Sequence, residues 1–486
     1  MNTSKFGLFL GPFVFLVFFI FVKPEGLSEE GASLVAITFW IAIWWITEAI
    51  PIAATALLPL VLFPLTGVMG IKTTSIPYAD PMVLLYMGGF MIAVSIEKWN
   101  LHKRIALRII AFLGTDLKRI ILGFMIATAF LSMWISNTAT SLMMLPIAVA
   151  VISQVGQDKG NLEKLLGQAL MLGIAYSASI GGMATIIGTP TNIILMGVIN
   201  KTYDIEISFS QWMMIGFPIS MGLLFLCWYY LVNLAFQFPP SLELEGGKKE
   251  IKNQLMALGS ISFQEKRVLW VFIAVSVSWI SRSFLLEKYV PVLDDTIIAL
   301  LGVLTLFVLP SGKEKGGRLL DWKVAEKIPW GILILFGGGL ALASGFQETG
   351  LANWIGEQFI LLQNIPFWLF LLLIIAAVNF LTEITSNVAT ASMLLPILAA
   401  VALAMGVHPY GLMVGATMAA SCAFMLPVAT PPNAVVFGSG YLTIPGMIRA
   451  GFWMNMVSII FVWMLILWGL PWIWDINIFQ FPEGWR

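Results

Sequence analysis

The sequence predicts an all-α polytopic membrane protein whose halves are inverted repeats, with about 11 transmembrane helices and two re-entrant hairpins. Its composition is the first reason, because 59% of the residues are hydrophobic, 11% are charged and the mean hydropathy is +0.92. The second is that apolar segments of roughly 17 to 25 residues, the length of a transmembrane helix, recur along the chain. The third is a polar motif that occurs twice within apolar sequence, at Asn137 and at Asn387, 250 residues apart.

The apolar segments predict one N-terminal span followed by two repeats. We interpret the first span, 6–22, as retained in the protein, because no small-residue cleavage site of a signal peptide follows it. The predicted units are the N-terminal region 1–32, the first repeat 33–235, a cytoplasmic linker 236–266, the second repeat 267–474 and a C-terminal tail 475–486.

The two repeats follow the same order of elements. The first contains spans 33–49, 51–67 and 80–98, an interfacial segment 102–114, the hairpin 119–155, the broken helix 164–200 and span 211–235. The second contains spans 267–287, 295–310 and 328–346, an interfacial segment 348–363, the hairpin 366–405, the broken helix 411–440 and span 445–474. Each repeat crosses the bilayer an odd number of times, so the two are inverted relative to each other.

The distribution of basic residues supports this topology in a plasma membrane. With the N-terminus in the cytoplasm and the C-terminus outside, 20 of the 26 Lys and Arg residues fall in loops assigned to the cytoplasm. The formal net charge is zero, which gives no indication of a nucleic-acid partner. Cys227 and Cys422 are the two cysteines, both in apolar segments, so neither a disulfide nor a cysteine metal site is indicated.

The hairpin tips bring polar side chains into apolar surroundings. The first tip is Ser136-Asn137-Thr138 and the second is Ser386-Asn387-Val388. A single motif of this kind is most simply explained by helix packing, since Ser and Thr bond to nearby carbonyls in membrane helices. Its duplication at matching places in two halves favours a substrate site at the interface of the repeats.

The broken helices contain a second pair of motifs, Gly188-Thr189-Pro190 and Ala429-Thr430-Pro431. A proline within a span removes a helical hydrogen bond and leaves carbonyl oxygens free, and the half-helix that follows begins with free N–H groups. Free carbonyls suit Na+, and free N–H groups suit a carboxylate. Together with the hydroxyls and amides of the tips, these groups predict a site for an anion that is accompanied by cations.

With these motifs, the sequence resembles the divalent anion/sodium symporters, the INDY-type carriers of di- and tricarboxylates, over essentially its whole length. The resemblance implies one Na+ site made by Ser132, Ser136, Asn137 and the Gly188 carbonyl, and another made by Thr382, Thr385, Asn387 and the Ala429 carbonyl. It implies that the dicarboxylate contacts Ser136, Asn137, Thr138, Thr189, Pro190, Ser386, Asn387, Val388, Thr430 and Pro431. It also implies a homodimer with an elevator mechanism, in which a transport domain moves against a scaffold.

The predicted function is Na+-coupled symport of C4-type dicarboxylates such as succinate, malate and fumarate. Bacterial members of the family commonly have Thr where this chain has Val388, so the substrate preference stays open. Alternatives are a dicarboxylate/dicarboxylate exchanger and a carrier of citrate, sulfate or tartrate. A membrane enzyme is disfavoured because no His, Asp or Cys cluster is expected at membrane depth, and a channel because two hairpin tips suit occlusion better than a pore. Glu383 next to the second tip is expected either to tune the cation site or to bond to the backbone.

Overall fold

The computed structural model describes residues 3–114, 116–155, 160–238, 245–312, 317–358 and 365–485. Within these ranges the chain forms helices and no β-strand, which agrees with the predicted fold class. Eight of the described helices are long and apolar enough to cross a membrane. Parts of two predicted elements, 239–244 of the linker and 359–364 of the second interfacial segment, lie outside the described residues.

The described residues form helices over most of their length. In the first half these are α1 (Thr3–Phe21), α2 (Glu29–Thr47), α3 (Ile52–Thr55), α4 (Leu58–Thr66), α5 (Ile71–Ser75), α6 (Pro81–Lys98), α7 (Leu101–Leu113), α8 (Leu117–Ser132), α9 (Asn137–Ile152), α10 (Gly160–Gly182), α11 (Pro190–Tyr203) and α12 (Phe209–Tyr229). The linker and second half form α13 (Glu245–Ala257), α14 (Phe263–Ser281), α15 (Asp295–Val308), α16 (Trp322–Ala325), α17 (Trp330–Glu348), α18 (Leu351–Gln358), α19 (Phe367–Leu381), α20 (Asn387–Met405), α21 (Pro409–Ala420), α22 (Pro431–Phe437), α23 (Ile444–Met464) and α24 (Leu470–Trp474).

The segment predicted as one span, 51–67, is interrupted in the structure, which divides it into α3 and α4. Pro59 lies in the first turn of α4, where it has no N–H to donate to the carbonyl four residues earlier, so the helical hydrogen bonding of α3 does not continue into α4. The carbonyl of Ala56, at the break, accepts a hydrogen bond from the Tyr78 hydroxyl. Gly338 of α17 packs so closely here that a Cβ atom would overlap Ala56. The break is therefore stabilised by its neighbours.

Helices from the two halves interlock around the hairpins and the broken helices. The hairpins are α8–α9 and α19–α20, and the broken helices are α10–α11 and α21–α22. Helix α9 packs against α22, α10 packs against α22, and α11 packs against α20 and α21. Among the other helices, α6 packs against α15, and α17 packs against α3 and α6. Helix α17 also packs against α11 and α20, where the two groups meet. These two groups of helices face each other at the site described below.

The last long helix of each half ends in a π-helical turn. Tyr230–Ala235 follows α12, and Leu465–Gly469 follows α23. The turns begin at corresponding places, since each follows a helix of 21 residues. A π-turn is rare and widens the helix locally, and it is frequently found at functional sites.

Candidate functional site

The two hairpin tips place helix N-termini at one location. Helix α9 begins at Asn137, and the Ser136 side chain accepts a hydrogen bond of 3.2 Å from the N–H of Ala139. Helix α20 begins at Asn387, but the Ser386 side chain makes no capping hydrogen bond. The first N–H groups of a helix have no partner within it, and they bear partial positive charge. Both tips therefore present hydrogen-bond donors where a span is interrupted.

The broken helices restart with nearly the same backbone geometry. Thr189 has φ −142° and ψ 143° before Pro190, and Thr430 has φ −141° and ψ 148° before Pro431. The proline is the first residue of the following half-helix in both cases, a position where its missing N–H costs no hydrogen bond. We call the segment between the two halves of each broken helix a link, 183–189 in the first and 421–430 in the second. In the first link, a Cβ atom on Gly188 would overlap the Gly182 carbonyl, so the close approach of these two residues requires glycine.

Each link is held by an asparagine that the sequence analysis did not assign to the site. The Nδ2 group of Asn192 donates to the carbonyl of Thr185 at 2.7 Å, and that of Asn433 donates to the carbonyl of Leu426 at 3.0 Å. Both residues are fully buried. The signal that could have identified them is the Asn found two residues after the proline in Thr-Pro-x-Asn in both halves.

A cavity of about 880 Å³ lies where the tips and links meet. Thirteen of the residues predicted to bind substrate or Na+ line it: Ser136, Asn137, Thr138, Gly188, Thr189, Pro190, Thr385, Ser386, Asn387, Val388, Ala429, Thr430 and Pro431. Its other wall comes from the second group of helices and includes Ala53, Tyr86 and Leu335. The predicted residues Ser132 and Thr382 are buried behind this lining, in contact with Asn137 and Asn387 respectively.

Behind the first tip, four oxygen atoms come together. The Ser132 hydroxyl contacts Asn137 Oδ1 at 2.5 Å and donates to the carbonyl of Ala178 at 2.7 Å. The carbonyls of Ala178 and Gly188 also face the Asn137 amide, whose hydrogen bonds are satisfied when Nδ2 points toward them and donates to both at 3.2 Å. Hydroxyl, amide and carbonyl oxygens are the ligand types that Na+ prefers, so a cation fits here when the amide turns Oδ1 toward the same point as the hydroxyl and the two carbonyls.

The second tip repeats part of this arrangement. The Thr382 hydroxyl oxygen lies 2.6 Å from Asn387 Oδ1 and 3.0 Å from the carbonyl oxygen of Ala420, and its single proton can be donated to either. The hydroxyl of Thr385, a predicted ligand, instead donates to the carbonyl of Leu381 at 2.8 Å and lies 2.6 Å from the Thr390 hydroxyl. The carbonyls of Ala178 and Ala420 occupy equivalent places, and the sequence did not reveal them because a carbonyl has no side-chain signature.

The Glu383 side chain binds backbone N–H groups of the second link. Its carboxylate accepts hydrogen bonds from three consecutive N–H groups, those of Phe424 at 2.7 Å, Met425 at 2.9 Å and Leu426 at 3.1 Å. Asn455 Nδ2 donates to the same carboxylate at 2.8 Å. Glu383 is 3% exposed, so this set of donors compensates for burial of its charge. Of the two expectations for Glu383, bonding to the backbone is the one that the structure shows.

Comparison with known sequences agrees with this architecture. The family described as the sodium:sulfate symporter transmembrane region matches residues 2–477. A relative from Staphylococcus saprophyticus, named sodium-dependent dicarboxylate transporter SdcS, is 48% identical over 98% of this chain and 93% of its own length. The protein of the same name from Staphylococcus aureus strain bovine RF122 is 46% identical over 98% of this chain and 92% of its own length.

Two solved structures share the fold at low sequence identity. MtrF of Neisseria gonorrhoeae has a TM-score of 0.59 and 14% identity, and the match covers 96% of this chain and 95% of MtrF. The YdaH transporter of Alcanivorax borkumensis has a TM-score of 0.58 and 13% identity, and the match covers 91% of this chain and 99% of YdaH. The family match over nearly the whole sequence confirms the resemblance predicted from the hairpin and link motifs, and the chain belongs to the sodium:sulfate symporter family, the divalent anion/sodium symporters.

Proposed function

We propose that this protein is a Na+-coupled symporter of C4-type dicarboxylates such as succinate, malate and fumarate, and that the 880 Å³ cavity is its substrate site. The names of the staphylococcal relatives support Na+ as the coupling ion and a dicarboxylate as the substrate. The observation that supports the proposal most strongly is that two repeat-related hairpin tips, each with an oxygen cluster behind it, face one cavity. The proposal involves no covalent step.

Charge balance explains why cations are required. Among the described residues that line the cavity, Glu48 is the charged one, and this lining contains no Lys, Arg or His. A dianion must therefore be stabilised by other groups. Helices α9, α11 and α20 point their N-termini at the cavity, but each supplies only about half of a positive charge. Two Na+ ions bound with the substrate would neutralise its charge completely.

The oxygen clusters are the proposed Na+ sites. Ser132, Ser136, Asn137 and the Gly188 carbonyl would hold the first ion, and the convergence of the Ser132 hydroxyl, the Asn137 amide and the Gly188 carbonyl supports this assignment. Thr382, Thr385, Asn387 and the Ala429 carbonyl would hold the second. The contact between Thr382 and Asn387 supports the second set, whereas Thr385 would have to release Thr390 to join it.

The substrate carboxylates would contact the exposed edges of the tips and links. The proposed contacts are Ser136, Asn137, Thr138, Thr189, Pro190, Ser386, Asn387, Val388, Thr430 and Pro431. The hydroxyls of Ser136 and Ser386 support this role, because a serine hydroxyl has a proton to donate to a carboxylate whether or not its oxygen also accepts a capping bond. Each amide, Asn137 and Asn387, would then lie between an ion and the substrate.

The movement is proposed to be of the elevator type, in a homodimer in the plasma membrane. The interlocked hairpins and broken helices would move as one transport domain against the helices that include α3, α6 and α17. The position of the cavity between these two groups supports this division. The inverted repeat with five crossings in each half, the cytoplasmic N-terminus and the external C-terminus complete the proposal.

Uptake of radiolabelled succinate into empty proteoliposomes tests the function. We expect an inward Na+ gradient to drive uptake, and an equal gradient of choline to fail. Uptake that required succinate inside the vesicles would instead identify an exchanger. Stronger competition by citrate, sulfate or tartrate than by malate or fumarate would contradict the proposed substrate class.

Two variants connect this assay to the site. Asn137→Ala and Asn387→Ala are each expected to abolish uptake, because either change leaves buried partners of the amide unsatisfied. Asn200→Ala, near the C-terminal end of α11 and outside the cavity lining, is the matched control and should retain uptake. Normal transport by a folded Asn137→Ala protein would exclude the first tip from the site.

A further inference from the structure

A second cavity lies on the perimeter of the protein that faces the membrane, away from the tips and links. It has a volume of about 700 Å³ and lies between the π-helical turn after α12 and the part of α23 from Gly446 to Ile460. One wall consists of Tyr230, Leu234, Ala235, Phe236 and Gln237. The other consists of Gly446, Arg449, Ala450, Trp453, Met456, Val457 and Ile460. We call this cavity the α12–α23 groove.

Most of the groove is lined by apolar side chains, and one end of it is polar. Trp453, Val457 and Ile460 follow the helical spacing that places them on one face of α23, and Leu234 belongs to the other wall. Leu234, Trp453 and Ile460 are 58%, 57% and 51% exposed, so these large apolar groups are not covered by the rest of the chain. Both helices belong to segments apolar enough to cross a membrane, so the groove faces the bilayer.

The polar end contains an arginine without an acidic partner. Arg449 is exposed, and its guanidinium forms no salt bridge or hydrogen bond with the described residues. Gln237 also lines this end of the groove. A second cation lies nearby, since Lys118 Nζ donates to Asn233 Oδ1 of the same π-helical turn at 2.8 Å. The end of the groove is therefore positively charged and offers several hydrogen-bond donors.

The length of the groove matches one lipid chain. Arg449 and Ile460 are 11 residues apart on α23, which corresponds to a helix rise of about 16 Å. One leaflet of the hydrocarbon core is about 15 Å thick, half of roughly 30 Å. Arg449 lies in the second turn of α23 and Gln237 follows the end of the α12 segment, so both lie near the ends of their spans, at the level of lipid headgroups.

We propose that the α12–α23 groove is a binding site for one anionic phospholipid. The phosphate would accept hydrogen bonds from Arg449 and Gln237, and an acyl chain would lie along Leu234, Trp453 and Ile460. The predicted topology places this end at the cytoplasmic leaflet, where anionic lipids attract basic residues. The proposal does not depend on the identity of the transported substrate, because the groove shares no lining residue with the central cavity.

Native mass spectrometry of delipidated protein titrated with phosphatidylglycerol tests the proposal. We expect the first phosphatidylglycerol to bind at least about tenfold more tightly than phosphatidylcholine. Arg449→Gln should weaken phosphatidylglycerol binding by about tenfold, the scale of one lost charge-assisted hydrogen bond. Lys252→Gln is the matched control, since Lys252 is an exposed cation in α13 outside the groove, and it should bind as the wild type does.

A second variant tests the apolar part of the groove. Ala235 is exposed and lines the groove, so Ala235→Trp fills the space without altering a buried position. This variant should lose tight binding of phosphatidylglycerol and still take up succinate in vesicles of phosphatidylcholine. Equal binding of both lipids by the wild type, or unchanged binding by Arg449→Gln, would overturn the proposal. It would also be overturned if Ala235→Trp and Arg449→Gln turned a dimer into monomers, because the groove would then be an interface between two copies.

Discussion

The hydroxyl oxygens of Thr191 and Ser421 lie 2.8 Å apart at a buried contact between the two halves of the chain. Thr191 is in the first turn of α11, after the first link, and Ser421 follows α21, where the second link begins. The hydrogen bond between them therefore joins the two broken helices directly. A change at one link can in this way affect the geometry of the other.

We expect Thr191→Val and Ser421→Ala to destabilise the protein non-additively. The two variants remove opposite partners of one hydrogen bond, and interhelical hydrogen bonds in membrane proteins contribute about 0.6 kcal/mol on average. A double-mutant cycle, measured by denaturant unfolding in detergent, should give a coupling energy of that order. Ser421 also donates to the carbonyl of Thr417, so the single variants alone do not isolate the pair. Strict additivity would show that the contact contributes nothing.

Glu383→Gln should impair both stability and Na+ dependence. The glutamine would turn an amide N–H₂ group toward backbone N–H groups that now bond to the carboxylate, leaving donors unsatisfied at a cost of about 1–3 kcal/mol. Because the second link also contains Ala429, we expect the Na+ concentration for half-maximal uptake to rise several-fold.

The measurement for Glu383 is a Na+ titration of succinate uptake together with the midpoint of thermal unfolding. Glu357→Gln, at an exposed position of α18, makes the same chemical change and is expected to leave both quantities unaltered. A stable Glu383→Gln protein with wild-type Na+ dependence would show that the link does not need the carboxylate.

Val388→Thr should change the ranking of substrates. Val388 lines the cavity at the second tip, where a hydroxyl could donate to a carboxylate. One neutral hydrogen bond contributes about 1 kcal/mol, which corresponds to a several-fold change in relative affinity. Competition of succinate, malate and citrate against labelled succinate measures this change. An unchanged ranking together with a large shift in Na+ dependence would instead place residue 388 at the cation site.

The inverted topology can be tested with single cysteines. Both native cysteines are buried, so exposed replacements are expected to react selectively. Lys252→Cys in the linker should react with a membrane-impermeant maleimide only from the cytoplasmic side, and Tyr289→Cys, between α14 and α15, only from the outside. Labelling of both positions from the same side would contradict the predicted arrangement.

The features predicted best from the sequence were those encoded by side chains in a repeated order. Asn137 and Asn387 identified the tips, and Pro190 and Pro431 identified the links, because proline and polar groups have strong local effects in an apolar segment. The structure brings all four to one cavity. Their proposed contacts with ions and substrate stay predictions.

The features that the sequence did not reveal depend on tertiary contacts. The break between α3 and α4 is stabilised by Tyr78, and the second link is held by Glu383 through three N–H groups. The carbonyls of Ala178 and Ala420 lie in the oxygen clusters because of how α10 and α21 pack, and backbone groups leave no trace in residue type. The α12–α23 groove likewise requires two helices that are far apart in sequence.

The central claim is that two repeat-related sites bind Na+ together with one dianion. The most direct test measures radiolabelled sodium and radiolabelled succinate entering the same proteoliposomes over the same interval. We predict about two sodium ions for each succinate, the ratio that neutralises the dianion and makes its movement insensitive to membrane potential. Succinate entry without sodium entry, or with only one sodium ion for each succinate, would contradict the account.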